Sequence, residues 1–564
     1  MKASLHLPLS IGVWALGLGA FAQERYLEEV FTPAQVQVTR NVTFATNIDF
    51  WLHAPSSPPT AQEVADITTL KTLAAQGQPY PAAFYDTQDP STEMKVSELK
   101  MDIYEPDQSV DEETARPVVV YIHTGNLLPP VVNSSPTGTR TDSCAVEVCK
   151  RLARRGYVAV SVDYRLGWNP LGSTEQIRRG TLLNAVYRAI HDVKQGVRFL
   201  RDNVNGPNTY AIDPAKVMLW GEGTGGYIAL AYATLDRPEE IFIEKFRPDP
   251  FTPNVSYVDT NIVGNIDGFG GMLNLYQPTA TPAGVQLCLN QGGALADTSW
   301  LAAGDVPMIA FHTVFDPFAP FTSGVVIVPG PNLPVVTLQG SNLFIQRADQ
   351  YGNNASFATL PGGDPFTDRA RSLYGTTQTH GSNGVSIRPG NEGLFPFVTP
   401  QWPSPATEEA GPWQWWDPNS PVALATVPLS DPPITCDRAA KASNPNMSAA
   451  KALAYIDTIM GYANPRIVCA LGLGPCSLVG IDESDPIAVG VEMYPNPAHD
   501  RVSITSAKAT IRAYELYDMN GRRLRNENVE RNSFTMPRGD LKPGVYFISL
   551  QFDKGSVTRK VVLD

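Results

Sequence analysis

Along the middle of the chain, short apolar runs alternate with longer stretches in which apolar residues recur every three or four positions. Val118–Ile122, Val158–Val162, Val217–Trp220 and Met308–Phe311 read as strands, because continuous apolar runs with no polar alternation suit a sheet covered on both faces. Between the second and third of these, Leu183, Val186, Tyr187, Ile190, Val193, Val197 and Leu200 form one helical stripe, leaving Arg188, Asp192 and Lys194 for the other faces. Strand and helix in alternation predict a mostly parallel sheet with crossover helices, an α/β fold. His191 lies on the same helix, where a surface or packing role suits it better than a chemical one.

The pattern changes twice toward the C-terminus. From Phe395 to Cys436 the chain turns to Pro, Trp and Ser, with Trp402, Trp413, Trp415 and Trp416 close together. No regular element fits this stretch; it packs on the domain surface or covers a cleft with aromatic walls. A helix around Ala449–Met460 follows, then a Gly/Ser/Asp-containing linker over 477–490. The last residues read as a small β-sandwich: strands at Val502–Thr505, Tyr514–Tyr517, Val545–Leu550 and Val557–Leu563, with turns at Asn520-Gly521 and Pro543-Gly544.

Composition narrows the function. The 564 residues are 43% hydrophobic and 18% charged, with a net charge of −13 and no long Lys/Arg run, so neither a nucleic-acid nor an anionic-membrane surface has electrostatic support. Met1-Lys2, the apolar stretch Leu5–Phe21 and the exit Ala20-Phe21-Ala22 form an export leader over 1–22, and no later segment reaches spanning length. Cys144, Cys149, Cys288, Cys436, Cys469 and Cys476 all follow it; an even count in an oxidising compartment permits disulfides without assigning pairs. No CxxC, HExxH or His/Cys cluster occurs, so no metal site and no cofactor is expected.

Two resemblances add to this reading. Tyr494-Pro495-Asn496-Pro497, Tyr517-Asp518-Met519-Asn520-Gly521-Arg522, Leu541-Lys542-Pro543-Gly544-Val545-Tyr546 and the closing Arg559-Lys560-Val561-Val562-Leu563 resemble the type A C-terminal sorting domain of the type IX secretion system of Bacteroidota. This implies passage across the outer membrane by that machinery, removal of the domain, and release or attachment at the cell surface. Leu99–Pro106, the strand ending Tyr121-Ile122-His123-Thr124-Gly125, Arg155–Arg165, Ile212-Asp213-Pro214 with Val217–Gly226, and Val306–His312 with Asp316 resemble the α/β-hydrolase fold in its carboxylesterase and lipase branch. The expected layout is an N-terminal extension over 23–94 packed on the main domain, an α/β-hydrolase-like domain over 95–476 with the Pro/Trp-rich insertion around 395–436, the linker, and the sorting domain over 491–564.

Ester hydrolysis on this fold needs a nucleophile on a strained strand-to-helix elbow, a His, an acid to orient it, and backbone N–H groups for the oxyanion. Here the expected G-x-S-x-G reads Gly221-Glu222-Gly223-Thr224-Gly225, with Gly223 in place of Ser. Glycine keeps the positive-φ turn and removes the attacking group. Thr224 serves as nucleophile only if the elbow shifts by one residue, since a neighbouring helical position aims its Oγ about 100° away. The oxyanion turn reads His123-Thr124-Gly125-Asn126, offering the N–H groups of Thr124 and Gly125, with Thr narrowing the turn. Asp316 matches the triad acid; a loop-capping role also fits it. Only His380 follows it within the main domain, in a Gly/Ser turn that either folds back over the cleft or stays exposed. The last strand is expected to end near Leu360-Pro361-Gly362-Gly363. The resemblance therefore implies a secreted ester hydrolase acting on a small-molecule ester, by acyl transfer through Thr224 with His380 and Asp316. The alternative is an inactive relative that binds a surface ligand or serves a structural role. Glu222 beside a Ser-less elbow leaves room for a different acid–base chemistry.

Overall fold

The computed structural model describes residues 25–50, 59–85, 94–328, 332–403, 408–428, 430–474, 476, 490–518, 523–552 and 555–563. The expected leader over 1–22, nearly all of the linker over 477–490 and the Asn520-Gly521 turn lie outside them.

Eight strands form the main sheet: β1 (Val36–Ile48), β2 (Val96–Pro106), β3 (Arg116–Ile122), β4 (Val158–Val162), β5 (Ile212–Glu222), β6 (Leu287–Gln291), β7 (Met308–Thr313) and, after two hairpins, β12 (Leu394–Phe397). The hairpins are β8 (Ser323–Val328) with β9 (Leu333–Gln339), and β10 (Thr377–His380) with β11 (Asn383–Ser386). Strand order is β1-β2-β4-β3-β5-β6-β7-β12; β1, β2 and β4 pair antiparallel, and every pairing from β4 to β12 is parallel.

Helices cover both faces. We label them α1 (Ala61–Ala75), α2 (Ser143–Arg154), α3 (Glu175–Asn205), α4 (Thr224–Thr234) and α5 (Ala449–Ala470). Alternation along β3 divides the core: Val118, Val120 and Ile122 join α3 and α4, while Val119 and Tyr121 join α2 and α5. Each such fully buried aliphatic side chain stabilises the fold by about 1.5–3 kcal/mol, which is why these strands carry no polar alternation. The four strands read from the sequence lie inside β3, β4, β5 and β7.

Two expectations change. Leu360 follows a short helix, Ala355–Ala358, and the last strand is β12, whose Pro396 lacks an N–H and is tolerated because the strand lies at the sheet edge. On α3, Arg188, Asp192 and Lys194 are buried along with the apolar stripe. The segment after Gly264 covers that face, with Lys194 Nζ donating to the Ile266 carbonyl (2.7 Å) and Arg198 to those of Asp267 and Thr281 (2.8 and 3.3 Å). His191 is fully buried, edge-on to Tyr187, and burial holds its imidazole well below its usual pKa, as suits a packing residue.

One disulfide, Cys469–Cys476, ties the end of α5 to the residues after it; Cys144, Cys149, Cys288 and Cys436 are buried thiols. The C-terminal segment folds as two antiparallel sheets around its own core. One is β13 (Val491–Tyr494), β14 (Arg501–Ser506) and β17 (Ser533–Pro537); the other is β16 (Arg523–Arg531), β15 (Ile511–Asp518), β18 (Gly544–Phe552) and β19 (Gly555–Leu563). Val502, Ile504, Leu516, Ile548 and Val561 meet between them.

Candidate active site

The parallel strands end together on one edge of the sheet, where open α/β sheets place their ligands. At the end of β5 the chain passes through Gly223, at φ 52° and ψ −114°, into α4. An L-residue reaches this conformation only under strain. Packing fixes the turn: a Cβ at Gly225 would overlap the Ile122 carbonyl oxygen and lie 2.6 Å from its carbon. Gly223 N–H donates to the Gln291 carbonyl (2.8 Å), which ties the elbow to β6. The elbow is therefore intact, and it has not shifted by one residue.

What stands opposite Gly223 is decisive for its chemistry. A Cβ at this position would overlap the Thr124 hydroxyl and lie 3.0 Å from the Thr124 Cβ. The side chain of Thr124 thus fills the volume into which an elbow residue would project. Thr124 in the turn and Gly223 on the elbow fit each other.

Thr224 is the first residue of α4 and is 5% exposed, and its Oγ1 accepts the Asn126 N–H at 2.7 Å. The N–H groups of Thr124, Gly125 and Thr224 have no partner among the described residues. The turn carrying the first two is rigid: the Tyr164 hydroxyl donates to the carbonyls of His123 and Thr124 (3.0 and 3.1 Å) while its ring stacks on His123 at 4.5 Å. His123 Nδ1 donates to the Thr124 carbonyl (2.5 Å).

Glu222, just before the elbow, is fully buried beneath it. Oε2 accepts from the Tyr121 hydroxyl (2.8 Å), and Oε1 from Trp413 Nε1 and Gln414 Nε2 (both 3.0 Å). Burial pushes its carboxyl pKa up, and these donors partly offset that. Glu222 thus anchors the Pro/Trp-rich stretch. Trp413 and Trp416 are buried, at 1% and 8% exposure, so packing accounts for both.

The acid and the base lie apart in their bonding. Asp316 follows β7, where its Oδ1 accepts the N–H groups of Phe318 and Ala319 (2.8 and 2.9 Å) and caps its own loop. Burial lifts its carboxyl to about 7. The imidazole beside Asp316 is His312, 3.8 Å away; its nitrogens are taken by Ser341 Oγ and the Ala319 carbonyl, and burial lowers it to about 4.

His380 does fold inward: its ring stacks on Phe315 at 3.8 Å and its side chain is 8% exposed. Its carboxylate partner is Glu408, 2.7 Å from Nδ1, and Nε2 donates to the Thr399 carbonyl (3.0 Å), so the expected pairing with Asp316 is replaced. Both ring nitrogens thus have partners in this arrangement. Glu408 went unrecognised in the sequence because it lies in an irregular stretch with no motif around it.

The strand order, the elbow and the oxyanion turn define the α/β-hydrolase class. Comparison sharpens this. Residues 101–322 match the BD-FAE family of α/β-hydrolase esterases, and residues 492–564 match the secretion-system C-terminal sorting domain. The chain is 27% identical to the neuroligin-like protein glit-1 of Caenorhabditis elegans over 217 residues, covering 35% of this chain and 26% of that protein. It is 28% identical to secreted lipase 5 of Gibberella zeae over 140 residues, 24% of each chain. The matches thus span about a quarter of these curated relatives. Among solved structures, the propionate-bound esterase Est2 of Thermogutta terrifontis aligns at 18% identity and a TM-score of 0.25, covering 40% of this chain and 70% of that one. The protein is an esterase- and lipase-like member of the α/β-hydrolase fold carrying a type IX sorting domain. That domain indicates secretion or attachment to the cell surface, and no helix among the described residues is long and apolar enough to cross a membrane.

Proposed function

We infer that the exported protein is a binding member of its fold, in which the serine-hydrolase step has been lost and the cleft scaffold kept. The observation that carries this reading is Gly223: the elbow holds the nucleophile's backbone geometry, has no side chain, and has its side-chain volume filled by Thr124. Three further features support it. Thr224 Oγ1 is committed to Asn126 N–H, His380 is committed to Glu408 and Thr399, and Asp316 caps its own loop. The N–H groups of Thr124, Gly125 and Thr224, without a partner among the described residues, suit a carbonyl or carboxylate held at the elbow without cleavage.

Acyl transfer through Thr224, with His380 as base and Asp316 as orienter, is the competing reading. It requires Thr224 to release Asn126 and His380 to exchange Glu408 for Asp316. The test is hydrolysis of p-nitrophenyl acetate and butyrate by the secreted chain, with Thr224→Ala and His380→Ala prepared identically. The binding reading expects all three at one background rate. A wild-type rate at least about tenfold higher, lost in both variants, overturns it.

A further inference from the structure

Away from the elbow, the first turns of α3, the segment 243–250 and β9 border an open pocket of about 510 Å³ that includes none of the elbow or oxyanion residues. That volume falls within the range that holds small organic ligands. Its walls set apolar surface from Ile243, Pro248, Pro250 and the Tyr257 ring beside the guanidinium groups of Arg179 and Arg247.

Both guanidinium groups are aimed by their Nε atoms and left partly unused. Arg179 Nε donates to the Val335 carbonyl (3.0 Å) and its Nη2 pairs with Glu175, leaving Nη1 without a partner among the described residues. Arg247 Nε donates to the Phe242 carbonyl (2.8 Å), and both of its terminal nitrogens lack a partner among those residues. The Tyr257 hydroxyl is buried and likewise has no partner among the described residues. A buried hydroxyl left unpaired is destabilising unless something supplies its hydrogen bond. The remaining cation, Lys245, is saturated by Asp297 (2.9 Å) and the carbonyls of Ala296 and Thr337, and the carboxylate of Glu244 on the wall is exposed. On the rim, just past Pro250, Phe251 is 90% exposed. It is displayed by a turn in which Asp249 accepts the N–H groups of Phe251 and Thr252 (3.0 and 3.1 Å).

We propose that this pocket is a second ligand site and binds a small organic carboxylate. The fork of Arg247 and the free Nη1 of Arg179 receive the carboxylate, the Tyr257 hydroxyl completes its hydrogen bonds, and the proline and tyrosine faces take the body of the molecule. Planar guanidinium forks match carboxylates in geometry as well as charge. Aromatic acids and acidic sugars share this group. The proposal is independent of whether the elbow catalyses.

The test is calorimetric titration of the full secreted chain with benzoate and with glucuronate, using benzamide and glucose as neutral counterparts. At least one carboxylate is expected to bind about tenfold or more tighter than its counterpart. Arg247→Ala should remove about tenfold of that affinity and Arg247→Lys less, with Tyr257→Phe smaller still and no thermal midpoint lowered. Saturation by benzoate alone identifies an aromatic acid, and by glucuronate alone an acidic sugar. Equal binding of the neutral counterparts, full affinity in Arg247→Ala, or no saturation by either acid below about 10 mM overturns the proposal.

Discussion

The two halves of the candidate site are held by different things. On the elbow side, β5, Gly223 and α4 retain a strained backbone conformation, and the turn at His123–Asn126 presents its N–H groups. On the other side, Asp316 caps its own loop and His380 pairs with Glu408 across the loop that follows β12. The elbow geometry is enforced by close backbone packing, since Gly221 and Gly225 have no room for a Cβ against neighbouring main chain. It persists whether or not a nucleophile is present. The side carrying Asp316 and His380 rests on side-chain hydrogen bonds, which other partners can satisfy. A preserved elbow is therefore evidence of fold, and the chemistry has to be read from the side chains around it.

Five substitutions test this contrast. The largest effect belongs to the packed backbone: Gly225→Ala drives a methyl into the Ile122 carbonyl and should destabilise by at least about 3 kcal/mol, read from the denaturant midpoint. Next comes the filled slot. Gly223→Ser should cost about 2 kcal/mol from positive-φ strain and collision with Thr124, and Thr124→Gly in the same chain should return part of it. A double-mutant cycle with a coupling of about 1 kcal/mol would establish the reciprocal fit, and strict additivity would contradict it.

On the other side the effects are smaller and depend on pH. Asp316, lifted to about 7, holds a proton in the fold that the unfolded chain releases near 4, so its contribution to stability falls as pH rises between those values. Asp316→Asn should therefore gain on the wild type by about 1 kcal/mol or more between pH 4 and pH 8. Asp142, also lifted to about 7 by burial, keeps its own slope in both proteins. A thermal midpoint of the variant that falls relative to the wild type as pH rises would contradict this sign. Smallest is Glu408→Gln, which keeps a hydrogen-bond acceptor for His380 and should cost about 0.5–1 kcal/mol. No effect on the melt would show that the His380–Glu408 contact holds nothing in place.

The same contrast explains what the sequence made legible. β3, β4 and β5 announce themselves as apolar runs because both faces of the sheet are covered, and α3 through its stripe. The Gly221–Gly225 motif is readable because its glycines answer a local backbone demand. β12 is hidden by Pro396, which reads as a strand breaker until the strand is known to lie at the edge. The expected strand end at Leu360 fails for a related reason: Phe357 and Leu360 bury themselves from a short helix and turn, and four residues of apolar spacing do not distinguish the two. Glu408 and the Thr124–Gly223 fit are contacts between distant segments, separated by 28 and 99 positions from their partners, and no local pattern encodes them.

The most direct measurement is covalent labelling of the secreted chain with a fluorophosphonate, read by intact mass and peptide mapping. With no side chain on the elbow and Thr224 held by Asn126, the chain should keep its unmodified mass under conditions that label an active esterase to completion. A stoichiometric adduct on Thr224, or on the Thr124 hydroxyl that fills the elbow slot, would contradict the loss of the nucleophile and make this protein an esterase.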